Sequence, residues 1–113
     1  MYFLINLFLM TDSLKKALKI IIEVANPDKV ILFGSRARGD FRPESDYDIL
    51  VLKNYIKHTR KLAQRIRRNF DGIGAPVDLL VYQTNKYFQN INSPYMVYYS
   101  INKEGIIIYD KSR

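Results

Sequence analysis

Three aspartates carry most of the chemistry that this sequence can offer. Asp46 and Asp48 form an Asp-x-Asp pair within Ser45-Asp-Tyr-Asp-Ile-Leu-Val51, and Asp78 interrupts the apolar run Val77-Asp-Leu-Leu-Val81. Side chains two residues apart in a strand project from the same side, so a pair at a strand start aims both carboxylates one way. Their neighbours are Tyr, Ile, Leu and Val, which predicts buried acids, and a buried carboxylate is costly unless something compensates it. The expected compensation is a hard cation. Oxygen-only ligands point to Mg²⁺ or Mn²⁺ rather than zinc.

Gly34-Ser35 follows a β-branched apolar run, and ten residues separate it from Asp46. A glycine turn lets the backbone come close to an anion, and its N–H groups with the Ser35 hydroxyl can hold phosphate oxygens. No Gly-Lys-Ser/Thr is present, so this is not a Walker loop. Arg36 and Arg38 lie in the same loop and either add positive charge against a triphosphate or serve a solvated surface and pair with Asp40 or Glu44. Gly39 is expected to permit a tight turn, and Ser45 to cap or orient Asp46.

The rest of the composition narrows the field. The 113 residues contain no cysteine and a single histidine, His58, which excludes disulfides, thiolate zinc sites and a serine–histidine relay. A net charge of +7 favours polyanionic partners in general, among them nucleotides, RNA and acidic proteins. The segment 57–68 is basic without one acid; it reads first as the wet side of an amphipathic helix and second as a docking face for RNA or an acidic protein. Tyr95, Tyr98 and Tyr99 recur at helical spacing and read as core or interface rather than as a base-stacking platform.

The elements that must position these residues are legible from periodicity. A helix is expected from Thr11 or Asp12 to about Ala25, stopped by Asn26-Pro27, followed by a buried strand over Lys29–Phe33. A short helical turn and a surface loop should lead to a second strand over Tyr47–Leu52. A second helix is expected from Asn54 or Tyr55 to about Phe70, broken by Asp71-Gly-Ile-Gly-Ala-Pro76, and a third strand over Val77–Tyr82. A helical turn over Thr84–Gln89, a helix from Pro94 to about Asn102 capped by Ser93, and a last strand over Ile106–Tyr109 complete the reading.

Taken together, Gly34-Ser-Arg-Ala-Arg-Gly39, the Asp46-x-Asp48 pair, Asp78 in a later strand and the closing Ile101-Asn-Lys-Glu-Gly-Ile-Ile-Ile-Tyr109 resemble the minimal nucleotidyltransferase family of the DNA polymerase β-like superfamily. The resemblance spans Val30 to Tyr109. It implies an α/β (α+β) palm with a mixed sheet of about four strands and helices packed on one face. It implies two Mg²⁺ ions, bridged by Asp46 and Asp48, with Asp78 completing the site of the activating ion and helping to accept the acceptor's proton. Gly34 and Ser35 would hold the β- and γ-phosphates of ATP or another nucleoside triphosphate.

Relatives of this size resemble the antitoxin half of a two-gene toxin–antitoxin module whose partner is an all-helical HEPN ribonuclease. The function expected by that resemblance is transfer of AMP from ATP to a hydroxyl on the partner, with tyrosine the expected acceptor. The alternatives are neutralisation of the partner by contact alone and transfer of nucleotides to an RNA end. A cytoplasmic location is expected, and the acceptor surface is expected to be borrowed from another chain or from a dimer mate in a homo-oligomer. Residues 11–113 are expected to form one domain. The apolar stretch Met1–Met10 is too short to span a bilayer and reads either as an extension packed on the core or a partner, or as an upstream misreading of a start at Met10.

Overall fold

A computed structural model describes residues 10–112. The first helix, α1, spans Asp12–Ala25 and starts where Thr11 Oγ1 accepts a hydrogen bond from Leu14 N at 3.2 Å. Its buried stripe is Leu14, Ala17, Leu18, Ile21 and Ala25. It ends at Asn26, which adopts the left-handed conformation (φ 46°) and returns its N–H to Ile22 O, the cap geometry that Asn tolerates better than most residues.

Strand β1 (Lys29–Phe33) leads through the single turn α2 (Ser35–Arg38) to β2 (Tyr47–Leu52). Helix α3 (Thr59–Arg67) crosses to β3 (Val77–Tyr82), and α4 (Thr84–Asn90), α5 (Val97–Glu104) and β4 (Ile106–Asp110) follow. The sheet order is β3-β2-β1-β4. β1 is antiparallel to both β2 and β4, whereas β2 and β3 run parallel, so the sheet is mixed, as expected. The parallel pair needs a crossover, and α3 supplies it.

Strand pleating sorts the side chains into two cores. Val30, Leu32, Ile49, Val51, Leu79 and Val81 meet the apolar sides of α1 and α3. Met10 is buried in this same core, while the expectations for residues 1–9 lie outside the described residues. The alternate positions Ile31, Leu50 and Leu52 pack with Tyr87 of α4 and with Tyr98 and Ile101 of α5. The long helices therefore share one face as expected, and two short ones extend the architecture by covering part of the other.

Two helix starts differ from expectation. α3 begins at Thr59 rather than Asn54 or Tyr55, because Asn54 donates its N–H to Asp28 Oδ2 (2.9 Å) and accepts from Asn85 N (3.0 Å). Gln83 Nε2 also holds Ile56 O at 3.0 Å. These bonds to distant segments hold residues 54–58 in a bent connection outside the helix. α5 begins at Val97, not Pro94, because Met96 N bonds to Ser93 O (3.1 Å) and closes a separate turn around the proline. No helix among the described residues is long and apolar enough to cross a membrane.

Tyr98 meets Tyr82 and Tyr87 edge-on, with ring centroids 4.8 and 5.9 Å away. Tyr87 is 1% exposed and its hydroxyl has no hydrogen-bond partner among the described residues; burial pushes its phenol up to about 12. An unpaired buried hydroxyl costs about 1–3 kcal/mol, so Tyr87→Phe should raise stability by about 1 kcal/mol in a urea unfolding titration.

Candidate active site

The chain leaving β1 turns directly beside the acids, since Phe33 is paired with Asp48 across the β1–β2 ladder. Gly34 makes that turn with φ 70° and ψ −156°, a region that only glycine occupies without strain. A second reason for glycine is contact. A Cβ built there would lie 3.0 Å from Asp48 Cγ and 3.3 Å from Asp48 Cβ, and closer still to Oδ2. Gly34 O then accepts from Ala37 N and Arg38 N at 3.1 and 3.0 Å to start α2. The N–H groups of Ser35 and Arg36, at the head of that turn, have no partner within the helix and so stay available to an oxyanion.

β2 and β3 place Asp48 and Asp78 in direct register. In a parallel pair, partners in register project from the same face, with strands about 4.8 Å apart. Asp48 shares its face with Leu50 and Leu52, which α4 and α5 cover, but that cover stops short of the strand starts. The acids are consequently less buried than the sequence suggested: Asp46 and Asp78 are exposed and Asp48 is half-buried. Their apolar neighbours belong to the opposite face or to the far end of the strands.

Burial is the largest influence raising the Asp48 carboxyl above its ordinary value, followed by the negative charges of Asp78 and Asp46. Arg38 pulls the other way, and Glu104 adds to the upward shift. At about 5 Å, two like charges repel by roughly 1 kcal/mol in water and roughly 3 kcal/mol at a partly buried surface. That penalty is small beside the stability of a domain, about 5–15 kcal/mol, so the fold can hold the acids with no cation. Among the described residues no three acids already stand in a ligating arrangement. The donor set nevertheless suits a hard divalent cation, being all carboxylate, with mutual repulsion that such an ion relieves and side chains on Asp46 and Asp78 free to rotate towards it.

Arg36 and Arg38 occupy different places. The Arg36 guanidinium is stacked between the rings of Phe41 and Tyr47 at 4.4 and 4.3 Å and donates to Pro43 O and Ser45 O, each at 3.1 Å. Tyr47 faces α1, where its hydroxyl lies 2.7 Å from Thr11 Oγ1. The structure therefore puts Arg36 on the side of β2 away from Asp48, bracing the loop. Ser45 folds that loop as well, accepting from Arg42 N at 2.8 Å. Arg38 stays on the acid side, with Nη1 3.1 Å from Glu104 Oε1 and Nε 3.3 Å from Asp40 Oδ1. Glu104 was not foreseen. Its one sequence signal is electrostatic: an acid ending a helix opposes the helix dipole and gains nothing there from its own element.

Two outcomes follow from this geometry. Gly34→Ala should lower stability by about 2–3 kcal/mol through the forced backbone and the collision with Asp48, measured by chemical unfolding. Because the native Asp48 carboxyl is raised above its unfolded value, the ionised group disfavours folding fully above the native titration, and the penalty fades as pH falls through it. Asp48→Asn should therefore melt at a higher temperature than the metal-free parent near neutral pH, with the gap closing towards about pH 4.

Known proteins were compared with this arrangement. The family model "Polymerase beta, Nucleotidyltransferase" matches residues 15–113. A candidate protein adenylyltransferase of Methanocaldococcus jannaschii is 39% identical over 56 residues, covering 44% of this chain and 57% of that protein, so the match spans less than two thirds of the relative's length. Among solved structures, a candidate nucleotidyltransferase of Sulfolobus solfataricus superposes with a TM-score of 0.57 at 22% identity over 96% of each chain. A chain of a toxin–antitoxin assembly crystallised with AMP-PNP superposes with a TM-score of 0.54 at 23% identity, over 85% of this chain and 72% of that one. The two structures share the fold, and the family match spans the glycine turn and all three acids: the chain belongs to the polymerase β nucleotidyltransferase family.

Proposed function

We propose that this chain transfers AMP from ATP to a hydroxyl of a partner protein, with Asp46, Asp48 and Asp78 as the catalytic acids. The observation that carries the reading is the in-register pairing of Asp48 with Asp78 beside a glycine that has no room for a side chain. Nucleotidyltransferases generally use divalent metal ions, and here Mg²⁺ held by the three carboxylates, as two ions in the family's manner, would polarise the reacting oxygens. The acceptor oxygen bonds to the α-phosphorus, the bond from that phosphorus to the β-phosphate bridging oxygen breaks, and pyrophosphate leaves. Asp78, exposed at the strand start, takes the acceptor's proton. Ser35 and the amides after Gly34 hold phosphate oxygens, and Arg38 exchanges an acidic partner for the triphosphate. Arg36 positions the loop that carries Asp46 rather than touching the nucleotide.

A protein acceptor is supported by an exposed apolar surface at the start of α5, the helix whose other end reaches Arg38. Tyr95 is 96% exposed, and Met96 is exposed with it in the turn before α5, as are Val97 and Tyr99 in the first turn of α5, the helix that ends at Glu104. The candidate protein adenylyltransferase among the relatives supports a protein acceptor, and the fold shared with a chain of a toxin–antitoxin assembly fits a toxin in that role; its HEPN type rests on the sequence resemblance alone. The same apolar surface favours a second reading, neutralisation of the partner by contact alone.

Labelled ATP, Mg²⁺, the chain and its helical partner should yield labelled partner. Asp46→Ala and Asp78→Ala should each slow labelling about 10²–10³-fold, the usual effect of losing one electrostatic stabiliser of a transition state. Chelation should abolish it. Unlabelled partner, together with full protection of cells by Asp46→Asn/Asp48→Asn, would establish the contact reading instead.

A further inference from the structure

A wide groove of about 710 Å³ lies away from the acids, between the C-terminal end of α1, the β2–α3 connection and α3 itself. It begins at Lys53, just past the end of β2 and five residues on from Asp48, so about 16 Å distant, on the layer of α1 and α3. Lys53, Lys57, Lys61, Arg65 and Arg68 line it with His58, and no acid does. Two of these cations have work within the fold. Lys53 Nζ donates to Asn26 O at 3.0 Å and Arg65 Nη2 to Val24 O at 2.7 Å, satisfying carbonyls at the negative end of α1.

Lys57, Lys61 and Arg68 are different. All three are exposed, and none makes an ion pair or side-chain hydrogen bond with another described residue. Lys61, Arg65 and Arg68 follow one another at helical spacings of four and three, where like charges repel, so the stripe opposes α3 rather than supporting it. Tyr55 stands at the rim of the groove with 98% of its surface exposed and φ at 62°. A tyrosine in the left-handed region is sterically disfavoured, and this ring gains no packing in return. The backbone thus holds an aromatic face in solvent on the same groove that Lys57, Lys61 and Arg68 line.

An acidic protein would need apolar anchors at the centre of its interface. The groove's own apolar residues, Ile56 and Leu62, are already packed against the α1–α3 core. A free aromatic face with a cationic track instead matches the way unstacked bases and their backbone are held. We propose that this groove docks single-stranded nucleic acid, its phosphates along Lys57, Lys61 and Arg68 and one base stacked on Tyr55.

The test uses the full chain and three fluorescent ten-residue probes: single-stranded RNA, DNA of the same sequence and oligo-glutamate. Binding is followed by anisotropy across a salt series, with circular dichroism of every variant. RNA or DNA should bind with a log–log salt slope of about −2, three phosphates at about −0.7 each. Lys57→Gln/Lys61→Gln/Arg68→Gln should flatten that slope and weaken binding more than about tenfold. Tyr55→Gly should weaken it at least about fivefold while raising the melting temperature, because the stack is lost and the backbone strain is released. Oligo-glutamate bound as tightly as either nucleic acid would make the groove an acidic-peptide site and overturn the proposal. An unchanged salt slope in the triple variant, or unweakened binding by Tyr55→Gly, would overturn it too. The acids of the candidate active site enter none of these measurements, so failure here leaves the proposed transferase activity standing, and loss of that activity leaves this site standing.

Discussion

The close approach of Asp48 to a stretch of backbone with no Cβ constrains everything around it. Gly34 must leave β1 in a conformation reserved for glycine, and it must do so where the antiparallel ladder has just delivered Asp48. The parallel ladder then sets Asp78 alongside. Neither ladder alone assembles the site. β2 occupies the centre because it is the strand shared by both, and its buried positions from Ile49 to Leu52 absorb the penalty of crowding like charges at its open end.

The short helices on the second face give that open end its shape. Tyr87, Tyr98 and Ile101 seal the sheet over Leu50 and Leu52, and α5 then brings Glu104 to Arg38. Arg38 thus stands between Asp40, Glu104 and the field of Asp48, so its charge is neutralised until an anion competes for it. Arg36, two residues earlier, is committed to two rings and two carbonyls on the other side of the strand. Two arginines of a single helical turn therefore divide the labour, one stiffening the loop and the other remaining exchangeable.

Much of this was legible in the sequence, and the misses share a cause. The bounds of β1, β2 and β3 agree with their expected ranges because each is a short apolar run between turn residues, a purely local signal. The glycine turn and the acids were legible as a spacing, and the ladders bring Asp48, Asp78 and Gly34 together. The start of α3 was not, because bonds from Asn54 to Asp28 and Asn85 join residues far apart in the chain. The burial of the acids was overestimated for a related reason. Flanking residues tell which face of a strand is apolar, but not how far along that face a covering helix extends.

Strand alternation gives the pairing of Asp48 with Asp78 a bearing on folding fidelity as well as on chemistry. If β3 slid by one position against β2, Asp78 would be driven into the core beneath α1 and α3 while Leu79 and Val81 emerged on the opposite surface. A slipped chain would bury a bare carboxylate and expose its best apolar contacts at the same moment. The charged rim therefore polices strand assembly, disfavouring the misaligned sheet without stabilising the correct one.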